Sequence, residues 1–135
     1  PSLTQFGLSD SLSEMIKNYQ KIKDNVDITF KSNIRKHRFT HEVELSLYRV
    51  VQELINNALK HSKAKHINVS VLIDGLSCEI SVKDDGIGFD YEFIKKDKAA
   101  GIGLRNIEQR IKVIEGHLEI SSRDEGTEFV ITLDV

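Results

Sequence analysis

Tryptophan is absent from this 135-residue chain, and cysteine, methionine and proline occur once each. A single cysteine, Cys78, cannot close an internal disulfide, so nothing ties the fold to an oxidising compartment. Its place in a strand-like run marks it as a small buried apolar residue. One proline, with 39% hydrophobic and 30% charged residues, argues against a disordered chain or a string of linkers. No apolar run approaches the ~20 residues a membrane span needs, and PSLTQFGLSD has neither the basic nor the apolar region of a signal peptide. Charge of one sign is lacking too. A formal net charge of −2 leaves no basic footprint for a phosphate backbone, so nucleic acid is not an expected partner. The length suits one folded domain over residues 1–135, cytosolic in character and making no membrane contact of its own.

What is present reads as alternating helices and hairpins. Ser9 to Lys23 carries a candidate cap at Ser9 or Ser11 and places Leu12, Met15, Ile16, Tyr19 and Ile22 on one helical face. Val26 to Asn33 alternates as a half-buried strand, and IRKHRFTH connects it to a long helix over Glu42–Ser62. His66–Ile73 and Ser77–Lys83 flank Asp74-Gly75 as an antiparallel hairpin. Tyr91 to Gly101 lacks period and cap and reads as a loop. Gly101-Ile102-Gly103 then opens a helix lined by Leu104, Ile107, Ile111 and Ile114 and stopped by Gly116. HLEISSR and TEFVITLDV close the chain as a second hairpin around Asp124-Glu125-Gly126. Helices separated by hairpins favour an α+β two-layer sandwich over a doubly wound parallel sheet.

The long helix has two stripes. Val43, Leu47, Val50, Val51, Leu54, Ala58 and Leu59 face a core, while Arg49, Glu53, Asn57 and Lys60 share another face with Asn56 beside them. Each asparagine costs up to roughly 0.7 kcal/mol of helix propensity relative to alanine, which a purely solvated face has no need to bear. Gly101 and Gly103 ahead of a helix offer amides and a positive dipole end to a phosphate. Asn106 stands where the dinucleotide fingerprint needs a third glycine, and no Gly-Lys-Ser/Thr follows as in a P-loop. Asp84, at a strand end beneath Gly86 and Gly88, suits an amino group deep in a pocket. Taken one at a time, each signal has a plainer reading: a polar outer face, a hinged surface loop, a strand-ending turn.

Taken together they carry a resemblance. Glu53 with Asn57, Asp84-Asp85-Gly86-Ile87-Gly88, Gly101-Ile102-Gly103-Leu104 and Gly126-Thr127 stand in the order seen in the ATPase superfamily of DNA gyrase and sensor histidine kinases. LYRVVQELINNALKHSKA, DDGIGF and GIGLRNIEQRI resemble the catalytic and ATP-binding domain of two-component sensor histidine kinases, in the subfamily of nitrate-responsive and membrane-fluidity sensors. The likeness runs from about Phe6 to the end.

The resemblance implies a Bergerat-type sandwich: a mixed, mostly antiparallel sheet covered on one face by helices. It further implies ATP and Mg²⁺ as cofactors, with Asn57 as metal ligand and Glu53 as the general base or the group that orients the attacking one. Asp84 would take the adenine with Thr127 behind it through water. Gly86 and Gly88 would keep the floor open, and Lys60 and His61 would face the phosphates with Asn56 nearby. Gly101, Ile102, Gly103 and Leu104 would wrap the phosphates, the stretch between Asp90 and Ala100 forming a short lid. The family's acceptor histidine sits on a separate dimerising helical hairpin, and nothing like that hairpin precedes Ser9. The expected partners are therefore that hairpin and a response regulator, within a kinase that can be anchored in the cell membrane. An anti-sigma-factor-type kinase, or a nucleotide-dependent interaction module, is the rival of another class. A domain that has lost ATP binding is disfavoured by the presence of Glu53, Asn57, Asp84 and the glycines.

Overall fold

The computed structural model describes residues 2–34, 36–61, 63–87, 98–123 and 126–134. The elements run α1 Ser2–Phe6, α2 Leu8–Ile22, β1 Asp27–Ser32, α3 His41–His61, β2 His66–Asp74, β3 Ser77–Asp84, α4 Lys98–Val113, β4 His117–Arg123 and β5 Gly126–Asp134. The strands form one five-stranded sheet in the order β1-β2-β3-β5-β4. Only β1 and β2 are parallel, joined by a crossover that contains α3; the other pairings are antiparallel. This is the α+β two-layer arrangement expected from the order of helices and hairpins.

Period-two alternation decides which face is covered. On β2 the buried residues are Ile67, Val69 and Val71; on β3 they are Cys78, Ile80, Val82 and Asp84; on β5 they are Thr127, Phe129, Ile131 and Leu133. The helices pack on this face, α3 between α2 and α4, and one continuous core joins Leu12 and Met15 of α2, Leu47 to Ala58 of α3, and Leu104, Ile107 and Ile111 of α4. Complete burial of Leu47, Val50, Val51 and Ile55 holds α3 against the sheet, at about 1.5–3 kcal/mol per side chain. Cys78 is fully buried as expected, and desolvation pushes its thiol up to about 11. Among the described residues no helix is long and apolar enough to cross a membrane.

Several boundaries differ from the sequence reading. α2 begins at Leu8 after Gly7 (φ 89°), without a side-chain cap. Ser9 and Ser11 lie inside the helix, and Ser9 bonds Ser32 of β1 instead. Ile22 is 75% exposed, because the helix ends there before the chain turns back into the sheet. The tight turn of the first hairpin is Gly75-Leu76, since Asp74 already pairs with Ser77; Gly75 alone supplies the positive φ (63°). α4 begins at Lys98, so Gly101 and Gly103 lie within the helix rather than ahead of it. At its other end, Glu115 rather than Gly116 takes the left-handed conformation (φ 58°). The N–H of Glu115 bonds Lys112 O and that of Gly116 bonds Ile111 O, the paired bonds of a Schellman stop. Gly116 is required for space: a Cβ there would stand 3.1 Å from Ile111 Cγ2.

The start of α3 is anchored by a network that the sequence did not announce. Thr40 caps it, its O and Oγ1 accepting from Glu44 N and Val43 N. Glu44 is fully buried and accepts two bonds from Arg38, at 2.9 and 2.8 Å, and a third from Phe39 N. The same guanidinium donates to the carbonyls of Leu3 and Thr4, tying α1 to the helix.

Candidate functional site

At the end of the sheet the inward row changes character. Asp84 is paired with Ile67 on one side and Thr127 on the other. Both polar residues occupy positions that hold apolar side chains further along their strands, and both are buried, at 8% and 3% exposure. Asp84 Oδ1 accepts from Gly86 N at 2.9 Å, an Asx turn that ends β3 and fixes the carboxylate. Thr127 Oγ1 lies 3.0 Å from Ser122 Oγ. Gly126 is what allows this closeness: at φ 143° its missing Cβ would fall on the carbonyl oxygen of Asp84.

Asp85, beside it, has a different task. Its Oδ1 accepts from Lys65 N and His66 N at 2.8 and 2.9 Å, and its Oδ2 lies 2.7 Å from His66 Nδ1. The hydrogen bonds from His66 foremost, then from Lys65, draw the Asp85 carboxyl down to about 2. Asp85 thereby staples the end of β3 to the beginning of β2, and the sequence gives no signal that separates it from Asp84 beyond strand parity.

The second group lies between α3 and α4. Glu53 is half-buried, and its Oε1 stands 2.9 Å from where a Cβ on Gly103 would be. The glycine therefore admits the carboxylate to the backbone of α4. Since only the first turn of a helix leaves N–H groups without an intrahelical acceptor, the amides of Ile102, Gly103 and Leu104 are engaged within α4. The Leu104 side chain is buried in the core at 5% exposure. Asn57, one turn beyond Glu53, is half-buried on α3, and Lys60 is exposed. Asn56 Oδ1 accepts from Tyr19 Oη at 2.9 Å, which turns this amide toward α2. Burial raises the Tyr19 hydroxyl against the lowering effect of that bond, and Tyr48 and Glu53 add to the rise.

Gly88 lies outside the described residues, as do the lid residues up to position 97 and the side chains of His61 and Ile102. The structure thus brings together Asp84, Gly86, Gly126 and Thr127 at the sheet end, and Glu53 with Gly103 between the helices, with α3 packed over β3. Sequence reasoning missed a cleft of about 140 Å³ around Glu53, lined also by Arg49, Gln52, Asn106, Ile107 and Arg110. The four-residue step from Arg49 to Glu53 was the available signal.

Chemically, a buried carboxylate beside a buried hydroxyl at a strand end presents acceptors to an amino-bearing ring, and a half-buried Glu one turn from an Asn presents a proton acceptor beside an amide oxygen. Among the described residues no group of three His, Cys, Asp or Glu side chains could cage a metal.

The chain is similar to known proteins over most of its length. Residues 42–135 match the family described as histidine kinase-, DNA gyrase B- and HSP90-like ATPases. The signal transduction histidine-protein kinase/phosphatase DegS of Brevibacillus brevis is 29% identical over 99% of this chain, which spans 34% of that protein's length. Among solved structures, the catalytic domain of histidine kinase ThkA superposes with a TM-score of 0.78 at 18% identity, covering 96% of this chain and 92% of that one. The Acinetobacter baumannii histidine kinase AdeS gives 0.77 at 18% identity, covering 93% and 63%. These likenesses share the fold. The matched family spans β2 to β5, α4 and all of α3 but its first residue, and the chain belongs to the histidine kinase-, DNA gyrase B- and HSP90-like ATPases.

Proposed function

We propose that this domain transfers the γ-phosphoryl group of ATP to a histidine carried on a separate, dimerising helical hairpin, the phosphoryl then passing to a response regulator. The observation that carries the reading is the apposition of Glu53 to Gly103, which sets a carboxylate at the junction of the two helices whose motifs it unites. Asp84 accepts from the adenine amino group, and Thr127 supports a water-mediated contact to the same ring. Asn57 offers its carbonyl oxygen to Mg²⁺, which when bound neutralises charge on the phosphates. Glu53 accepts the proton of the acceptor imidazole or orients that ring. Lys60 supplies positive charge to the phosphates with His61 beside it, and the first turn of α4 supplies amides and the helix dipole. Gly103 serves by making room for Glu53, and Leu104 by fixing α4 in the core. The remaining work is positioning, since phosphoryl transfer asks little covalent chemistry of the protein.

The test supplies ATP labelled at the γ-phosphorus together with the acceptor hairpin of the Brevibacillus brevis relative. Label appearing on the hairpin histidine, stable to base and lost in acid, is expected for the native chain and not for Glu53→Ala. Absence of transfer from native protein that demonstrably binds ATP and the hairpin would overturn the reading.

A further inference from the structure

Helix α2 lies ahead of the matched family segment, yet it sends a side chain to the polar stripe of α3. Tyr19, half-buried near the end of α2, donates its hydroxyl to Asn56 Oδ1 at 2.9 Å, across 37 residues of sequence. After burial, and against the lowering effect of that bond, Tyr48 and Glu53 raise the hydroxyl further, so Glu53 stands within its field. The bond also fixes which way round the Asn56 amide sits, because only one of its two polar ends is an acceptor. With Oδ1 turned toward α2, Nδ2 faces the other way as a pair of N–H donors, and among the described residues no acceptor meets it.

Lys60 lies one turn further along the same face and is exposed. Helical side chains tilt toward the N-terminus of their helix, which carries the Lys60 ammonium back toward Asn56. N–H donors beside an ammonium suit an anion, whereas Mg²⁺ takes oxygen lone pairs. The adjacent asparagine, Asn57, makes no side-chain bond among the described residues, so its carbonyl oxygen stays available to a cation. We propose that Tyr19 is a positioning residue of the nucleotide site: it locks Asn56 as a donor to a phosphate oxygen of the bound nucleotide, and leaves Asn57 as the asparagine of the pair that ligates the metal. This rests on the function proposed above. Tyr19 itself touches neither nucleotide nor metal, and its effect passes through the Asn56 amide.

The experiment titrates the full chain with ATP, with and without Mg²⁺, and with adenosine in competition against a fluorescent ATP analogue. Native protein is compared with Tyr19→Phe, Asn56→Ala and the double variant. Tyr19→Phe keeps the ring and removes only the hydroxyl, and thermal melting confirms that each variant is folded. ATP affinity is expected to fall about three- to tenfold in Tyr19→Phe, the range of one hydrogen bond, and at least as far in Asn56→Ala. Adenosine, which carries no phosphate, should bind all four proteins alike. Because Tyr19 acts through Asn56, the double variant should be no weaker than Asn56→Ala alone. Asn56→Ala should also keep the gain in ATP affinity that Mg²⁺ brings. Native ATP affinity in Tyr19→Phe, equal losses for ATP and adenosine, losses that multiply in the double variant, or a Mg²⁺ gain abolished by Asn56→Ala would each overturn the inference. A native chain that binds no ATP at all sinks the proposed function instead, so the two failures are told apart on the same samples.

Discussion

Gly103→Ala sets two effects against each other, and the structure says which readout each should move. The added Cβ would stand 2.9 Å from Glu53 Oε1, too close to persist, with the next atom, Glu53 Cδ, at 3.9 Å. No backbone atom is among the near neighbours, and what it meets is the tip of a flexible side chain, so the fold accommodates it. Replacing a glycine inside a helix with alanine gains about 0.5–1 kcal/mol by restricting the unfolded chain. For a domain of this size that raises Tm by roughly 2–4 °C. The carboxylate, however, must swing away from α4. General-base or orienting contributions are typically worth 10²–10⁴-fold, and displacement by about an ångström costs on the order of 10²-fold in rate. The variant should melt slightly higher, bind ATP with near-native affinity and transfer phosphoryl to the hairpin ten- to a hundredfold more slowly. Calorimetric melting with a single-turnover transfer assay reads both. A native transfer rate in a stably folded variant would refute the placement of Glu53 against α4 as the catalytic feature.

Other residues give sharper losses. Asp84→Asn should weaken ATP binding tenfold or more by exchanging an acceptor for a donor at the buried strand end, and calorimetry showing unchanged affinity would remove Asp84 from the adenine site. Asn57→Ala should abolish the gain in nucleotide affinity that Mg²⁺ brings, measured as the ratio of dissociation constants with and without the ion. Asp85 titrates low because it accepts bonds only in the folded state. Its contribution is therefore present above the unfolded value near 3.9 and is lost as pH falls from about 4 toward 2; its side chain is 43% exposed, so solvent keeps the effect modest. Asp85→Asn should accordingly flatten that part of the acid unfolding curve. Arg38→Ala should lower Tm and expose α1 to proteolysis, because it strips Glu44 of its two guanidinium bonds and Leu3 and Thr4 of theirs.

The parts of this fold governed by period were readable in advance. The 3.6-residue stripe of α3 and the alternation of β2, β3 and β5 named most of the core and put Asp84 on the same face as Cys78, Ile80 and Val82. Boundaries governed by local chemistry were harder. Lys98, Ala99 and Ala100 are good helix formers without a recognisable cap, so α4 reaches back over the glycines that looked like its entrance. Glu115 took the left-handed position that Gly116 was expected to fill. Contacts between distant segments were illegible for a simpler reason, namely that no spacing rule joins their residues. Tyr19 with Asn56, Arg38 with Glu44, and Asp85 with His66 are 37, 6 and 19 residues apart and meet only once helices and strands are stacked. The cleft around Glu53 belongs to the same class, because Arg49 and Arg110 come to line it only through the packing of α3 and α4.

The most direct measurement is a calorimetric titration of the chain with ATP, in the presence and absence of Mg²⁺. The account predicts saturable one-site binding that tightens with the ion in native protein and is weakened tenfold or more by Asp84→Asn. No detectable binding to native protein under either condition, or binding indifferent to both Mg²⁺ and Asp84, would contradict it.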